Sequence, residues 1–358
     1  MSVNVLDRPD AADLARRHDD LLRREPKLRQ RDIAERLGVS EAELLAAGLG
    51  RHVVRLQPQW PSIMAELPTL GTVMALTRND HCVHEKVGTY KAFSVNGHVG
   101  LFLGEAIDLR IFFQCWRFGF AVTETGKDGE KRSLQFFDGQ GRAIHKVFLR
   151  PESDEAAWRA LVARFAGGAV GDVRLEPAPA APAEQPDDRI DAAGLRAAWD
   201  ALQDTHDFHG MLRRFGAGRV QALRLGGIGR ARRTTVGALR AILERAAGDA
   251  MPIMVFVGNP GMIQIHTGPV SRLLATGPWF NVLDPGFNLH LREDAIDTAW
   301  IVRKPTVDGD VTSLEMFDAA GGTIATLFGK RKPGMPEDPA WRSAAHALPS
   351  VPVAQAAA

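Results

Sequence analysis

The chain has 358 residues, 45% of them hydrophobic and 24% charged, an ordinary globular composition whose length implies two domains at about 100–200 residues each. Its formal net charge is +1, so no global field draws it to nucleic acid or to an anionic membrane, and any electropositive site must be local. Two cysteines, Cys82 and Cys115, with no CxxC or CxxCH, exclude a disulfide framework, a metal ribbon and a cysteine-tethered cofactor.

The opening stretch MSVNVLDRPDAADLARRHDD carries acids and has no apolar centre, which is not the pattern of a signal peptide. No apolar run reaches the ~18 residues that span a bilayer. Both observations predict a cytoplasmic protein without membrane insertion. The segment RDIAERLGVSEAELLAA (31–47) has helix-turn-helix spacing at Ala34, Gly38 and Leu44. A plain helix hairpin explains it equally well. A DNA-binding regulator therefore stands as an alternative function, with the near-neutral charge against it.

MALTRN (74–79) reads as a short buried strand. RNDHCVHEKVG (78–88) places His81 and His84 at i, i+3, on opposite faces if the segment is extended, which is poor geometry for one metal. In IDLRIFF (107–113) Arg110 interrupts an apolar strand and needs a partner if buried. Asp128-Gly129 reads as a hairpin turn, and SLQFFD-GQG-RAIHKVF as a second hairpin. AAWRALVARF (156–165) closes the segment as a helix.

The pattern then repeats. At a shift of 180 residues Asn79 meets Asn259, Gly88 meets Gly268, Asp128-Gly129 meets Asp308-Gly309, Phe137-Asp138 meets Phe317-Asp318, and Phe148 meets Phe328, without a gap. This is a duplication. Between the copies lies a Pro/Ala-rich stretch that reads as a semi-rigid linker. The expected organisation is an N-terminal repeat at 1–173, a linker at 174–188, a C-terminal repeat at 189–348 and a flexible tail at 349–358. Short turns without βαβ alternation predict antiparallel sheets with packed helices, an α+β class in two tandem copies.

In the second copy DAAGLRAAWDALQDTHDFHGMLRRFG (191–216) reads as one helix, from an Asp191 N-cap to a stop at Gly216. Leu195, Trp199, Leu202, His206 and His209 advance by helical spacing, so two histidines continue an apolar stripe. From Asp207 to Glu244 no acid interrupts Arg213, Arg214, Arg219, Arg224, Arg230, Arg232, Arg233 and Arg240. Such a run is a solvated basic face, a patch for an acidic partner (a non-catalytic interaction protein), or a site for anionic groups beside an imidazole, as an iron porphyrin with its propionates would need. The position equivalent to Arg110 is His290, again inside an apolar run (FNLHLRE). The glycines of LGGIGRAR form no nucleotide cradle, and no GxSxG or HExxH is present.

Taken together, RDIAERLGVSEAEL, RNDHCVHEKVG, NGHVGL, IDLRIFF, SLQFFD, DTHDFHGMLRRF, IMVFVGNPGMIQIHTGPV, NLHLREDAI, AWIVRKPTVDGDVTSLE and LFGKR resemble the HemS type, the cytoplasmic haem-trafficking and haem-degrading proteins of bacterial haem-uptake operons. The likeness covers nearly the whole chain apart from linker and tail. It implies two tandem repeats, each a large antiparallel sheet with packed helices, and a haem cleft between helix and sheet. By the D-x-H-x-F motif it implies His206 as the iron ligand of haem b, and by the D-L-R motif Arg110 as the catalytic residue on the opposite side. His209, Arg213, His290, Lys304 and Arg331 join the cofactor-binding set, Lys304 and Arg331 standing where the family places propionate-binding cations. Phe328 stands where many relatives have a tyrosine, and His209 replaces the commoner aromatic. The implied function is to accept imported haem for iron acquisition. Two routes follow, trafficking to a separate haem oxygenase or reductive, O2-dependent degradation with a reductase partner. A monomer or a dimer is expected.

Overall fold

The computed structural model describes residues 10–126, 129–168, 173–180, 183–332 and 334–351. The chain forms two compact units. One takes in Met1–Thr77, Val87–Pro179 and Asn259–Met262; the other takes in Arg78–Lys86, Ala180–Gly258 and Ile263–Ala358. Each unit thus contains a short segment from the other half of the sequence, which repeat boundaries at 173 and 189 do not anticipate.

In the first unit the antiparallel strands Val53–Arg55, Phe118–Gly126, Gly129–Phe137, Ala143–Ser153 and Gly71–Arg78 lie side by side in that order. The strands Phe93–Asn96, Val99–Leu103 and Asp108–Phe112 form a meander. The second unit repeats both parts. Its five strands are Ala231–Thr234, Thr298–Lys304, Val311–Phe317, Thr323–Gly329 and Ile253–Asn259, and its meander is Leu273–Thr276, Trp279–Asp284 and Phe287–Arg292. Even the irregularities match, with register shifts at Phe136/Phe137 and at Met316/Phe317. The expected hairpin turn at Gly309 is present, with φ +104°; Asp128 of the equivalent turn lies outside the described residues.

The borrowed segments explain themselves through hydrogen bonding. Cys82–Gly88 pairs with Phe287–Arg292 inside the second unit, and the Asn79 amide just before it donates to the carbonyls of Ile324 (2.8 Å) and Gly258 (3.2 Å). In the first unit Asn259 donates to the Ile144 carbonyl (2.8 Å), and the Gly261 carbonyl accepts from the Trp116 indole and the Phe112 amide, both at 3.0 Å. Asn79 and Asn259 are equivalent in the repeat, and so are Ile144 and Ile324. The same buried backbone groups are satisfied by the same device in both copies.

Alternation places one face of each sheet on apolar residues, but buried polar groups interrupt the cores. In the first unit the fully buried His145 shares hydrogen bonds with two hydroxyls, Nε2 with Tyr90 (2.6 Å) and Nδ1 with Thr77 (2.9 Å). Burial holds this imidazole neutral, its pKa pushed down to about 3. In the second unit His84 and His266 are buried around the Phe287 ring, which stacks on His266 at 3.8 Å, and Lys86 lies 3.2 Å from His266. Burial pushes His84 well down and His266 to about 4. His81, half-buried, faces Asp318 at 3.6 Å.

The segment 31–47 is a helix hairpin. Gln30–Leu37 ends at Gly38 in the left-handed region, and Ser40 caps Glu41–Ala46 in a capping box with Glu43. Glu41, Ala42, Leu44 and Leu45 of the second helix are buried, Glu41 on Lys146 at 2.7 Å. A recognition helix needs an open face, and these four residues are committed to the interior.

Both ends of the linker are tied down. Glu176 accepts no slack, its amide donating to the Gly139 carbonyl (2.7 Å), while Asp187 receives Arg224 (2.6 Å) and Gln221 (2.9 Å). The chain also stays pinned beyond 349. Arg232 donates to Ser350 (2.8 Å), Thr234 to the Pro349 carbonyl (2.7 Å), and the Val351 amide to Arg233 (3.0 Å). The held chain therefore runs past the expected start of the tail, whose residues 352–358 lie outside the described part.

The helix Pro339–Ala347 seals the second unit by burying Trp341, whose indole donates to the Thr312 carbonyl at 2.9 Å. Gly329 lets it approach, since a Cβ there would stand 2.6 Å from the Trp341 Cβ and Cγ. Those are the rigid base of the side chain, so Gly329→Ala is expected to cost about 1–3 kcal/mol. Thermal unfolding would show it as a Tm lowered by several degrees.

Candidate functional site

The expected single helix over 191–216 is two helices. Asp191 caps the first, Ala192–Asp200, by accepting from the Gly194 amide at 2.8 Å, and the second is Asp207–Phe215, closed by Gly216 at φ +61°. The break follows from Asp204. Its carboxylate captures the His206 backbone amide at 2.8 Å, a local hydrogen bond that competes with the helical one. After the break the helical phase is reset. Leu195, Trp199 and Leu202 are buried as the stripe predicts, whereas Phe208, Met211 and Leu212 form the buried face of the second helix. His206 and His209 therefore do not continue the stripe. Both are exposed, the His206 side chain to 86%.

The same Asp204 oxygen lies 2.6 Å from the His206 Nδ1. An ionised carboxylate only accepts, so Nδ1 carries a proton, and in the neutral ring Nε2 then keeps its lone pair. The backbone hydrogen bond from His206 is the main cause holding the Asp204 carboxyl below its usual range, with the imidazole contact and the Arg331 charge adding to it. A carboxylate behind one ring nitrogen, with the other free, is the arrangement metal-binding imidazoles use. His209 stands one turn on, and burial, followed by the Arg213 and Arg219 charges, pushes its pKa down, favouring a neutral ring that can also bind metal.

Around this segment the sequence-predicted cations divide. Arg213 is exposed in the last turn of the helix. Arg331 is mostly buried, 3.6 Å from Asp308, and its Nε is buried without a hydrogen-bond partner among the described residues. A guanidinium with an unfilled donor suits an incoming carboxylate. Lys304 departs from the expectation of a rim cation. Its side chain is 4% exposed and its ammonium sits 2.6 Å from the Glu315 carboxylate and 4.6 Å from the centre of the Phe208 ring. The physical reason is that a desolvated ammonium requires a counter-charge.

The remaining expected residues lie on strands. Phe328 packs edge-to-face on Phe256 at 5.0 Å. His290 sits on Phe287–Arg292 with Nδ1 2.7 Å from the Asn281 side-chain oxygen. Arg110, in the first unit, is half-buried on Asp108–Phe112; it pairs with Asp108 and donates to the Leu109 carbonyl at 3.2 Å. The partner its burial demands is thus two residues away on its own strand. Glu315, which joins Lys304 to Arg219, drew no attention in the sequence. The available signal was an acid inside the otherwise apolar alternation of SLEMF, aligned with glutamine in SLQFF.

Among the described residues no group of three or more His, Cys, Asp or Glu could hold a bare metal ion. One imidazole with a free nitrogen suits instead an iron that already carries four nitrogen ligands, and the buried unfilled Arg331 donor suits the carboxylates of such a macrocycle. The residues present fit haem.

The sequence matches the haemin-degrading HemS.ChuX domain twice, over residues 38–165 and 216–348, in agreement with the duplication. It is 42% identical to the hemin transport protein HmuS of Yersinia pestis over 313 residues, 87% of this chain and 90% of that protein. The structure is similar to that of holo-PhuS, a heme-binding protein from Pseudomonas aeruginosa (TM-score 0.94, 48% identity, 96% of this chain and 100% of that one). It is also similar to the heme-degrading enzyme ChuS of Escherichia coli O157:H7 (TM-score 0.89, 38% identity, 95% and 99%). No helix among the described residues is long and apolar enough to cross a membrane.

Proposed function

The chain belongs to the haemin-degrading HemS.ChuX family, and from that premise we propose that it is a cytoplasmic haem-binding protein of a bacterial haem-uptake system, holding haem b through His206. The observation that carries the reading is the His206 ring, tied at Nδ1 to Asp204 and open at Nε2. Bound haem supplies the iron and its redox chemistry; the residues supply grip and orientation. Asp204 fixes the tautomer and the ring plane. Arg331 and the exposed Arg213 are the cations for the propionates, and Phe328 contributes an apolar wall. Arg110, on its strand in the first unit, is the candidate catalytic residue by its D-L-R motif, and His290 a further binding candidate.

Two outcomes share this binding step. Relatives are described both as transport proteins and as a degrading enzyme, and His209 favours transport, because a second imidazole one turn from the first offers haem an intermediate hold on its way out. The test is a haemin titration followed by reduction. A 1:1 complex with a Soret band is expected. With a reductase system and catalase present, survival of the band and its later passage to a haem oxygenase would mark a carrier. Loss of the band with iron release would mark an enzyme, and failure to form the complex would overturn the proposal.

A further inference from the structure

Beneath the His206 helix lies a buried charge cluster that the haem reading does not use. Glu315 is fully buried within Val311–Phe317 and accepts three hydrogen bonds, from the Lys304 ammonium (2.6 Å), Arg219 Nε (2.9 Å) and the Ser313 hydroxyl (2.9 Å), while a terminal nitrogen of Arg219 lies 2.8 Å away as an ion pair. The two cations it holds face the same aromatic ring. The Lys304 nitrogen is 4.6 Å and the Arg219 guanidinium carbon 5.5 Å from the centre of Phe208, which on another side meets Trp199 edge-to-face at 4.7 Å. Phe208 is two residues after His206, the first large buried residue of the helix that carries both histidines.

The duplication shows that the fold does not require a carboxylate at this position. The equivalent of Glu315 in the first copy is Gln135, also buried, which donates to Ser133 at 3.0 Å just as Glu315 accepts from the equivalent Ser313. The equivalent of Lys304 is the exposed Glu124. The same strand pair therefore folds with a neutral amide at this position, while the first copy buries its own ammonium one strand over, Lys146 opposite Gln135 and 2.7 Å from Glu41. Burying a carboxylate and an ammonium costs several kcal/mol per ion before their attraction is counted, and apolar replacements of such pairs are often neutral or stabilising. The two copies place their buried ion pairs differently: Lys146 ties the first sheet to the helix Glu41–Ala46, and Glu315 ties the second sheet to the helix that begins at Arg219.

We infer that Glu315 is a positioning residue for the haem-holding segment: it locks Lys304 and Arg219 under the Phe208 ring and thereby fixes the start of the helix that presents His206. The inference rests on the reading of that segment as the haem site. Cations over an aromatic face attract it most strongly when desolvated, as Lys304 is. Arg219 is in addition the first residue of the next helix, Arg219–Gly226, so one carboxylate ties together the sheet, the His206 helix and its successor.

The test compares wild type with Glu315→Gln, which copies the first repeat, and with Glu315→Gln/Lys304→Met, which also removes the stranded ammonium. Backbone hydrogen exchange in the ligand-free protein and haemin titration are the readouts, with thermal unfolding as the control. Exchange across 204–215 is expected to speed up about tenfold or more in both variants, the effect of losing hydrogen bonds to a charged group. The double variant should keep a wild-type Tm while haemin binding weakens alongside the exchange change. Native exchange across 204–215 in a folded double variant overturns the inference whatever haemin does. If exchange responds as expected but wild type takes up no haemin, the haem reading falls and the positioning role stands.

Discussion

His206→Ala is expected to weaken haemin binding tenfold or more, on the order of 1.4 kcal/mol, and to move the Soret band of whatever complex remains. The argument is geometric. His206 combines a ring held at Nδ1 with a side chain open to solvent, whereas His290, likewise held at Nδ1 by Asn281, is half-buried on its strand. Asp204→Ala should produce a graded version, because removing the partner of a metal-binding imidazole typically lowers metal affinity about 10–100-fold. The two variants should agree in direction and differ in spectrum: the Asp204 variant keeps the ligand and so the band position. Haemin titrations followed by absorbance measure both. An unchanged spectrum in His206→Ala would hand the ligand role to His209 or His290.

A second large effect is expected on acidification of the ligand-free protein. His84, His145 and His266 are buried and held neutral, with pKa values pushed well down for His84, to about 3 for His145 and to about 4 for His266. The unfolded chain protonates these groups near 6.5, the folded chain only far lower. Stability is therefore full above pH 6.5 and falls as pH drops toward the folded values, by about 1.4 kcal/mol per pH unit for each histidine. Over that window His145 alone removes on the order of 5 kcal/mol, as much as the whole stability of some domains. Glu315 acts lower down. Burial would raise it, but Arg219 and Lys304 outweigh that and hold it at about 2, so the stability it contributes is lost only as pH falls from 4.5 toward 2. Urea midpoints measured from pH 7.5 to 4.5 should drop steeply, and His145→Gln should make the slope shallower by about one proton. A flat profile over that range would show that the three rings are not neutral in the folded protein.

What could be read from the sequence was whatever repeats or alternates. The 180-residue duplication, the hairpins, the antiparallel class and the helix caps at Asp191 and Gly216 all rest on local chemistry, and the structure has them. The helical stripe from Leu195 to His209 failed in an instructive way. Spacing alone cannot see that a single carboxylate, Asp204, bonds more favourably to the next amide but one than the helix does, and that break is what turns His206 outward. The resemblance assigns Lys304 to the propionates, and spacing does not show that its counter-charge, Glu315, waits eleven residues away on a paired strand. The exchange of short segments was equally hidden, since Asn79 and Asn259 read as ordinary turn residues until the carbonyls they serve are seen.

That exchange bears on how such a protein can be cut. A fragment ending at residue 173 would lack Gly261, and with it the acceptor for the Trp116 indole and the Phe112 amide; a fragment beginning at 189 would lack the strand that covers Phe287–Arg292. Severing the Pro/Ala-rich connection would leave two polypeptides, each missing a piece the other still carries. The gene duplication is visible as two halves in the letters, but the halves have long since ceased to be separable parts.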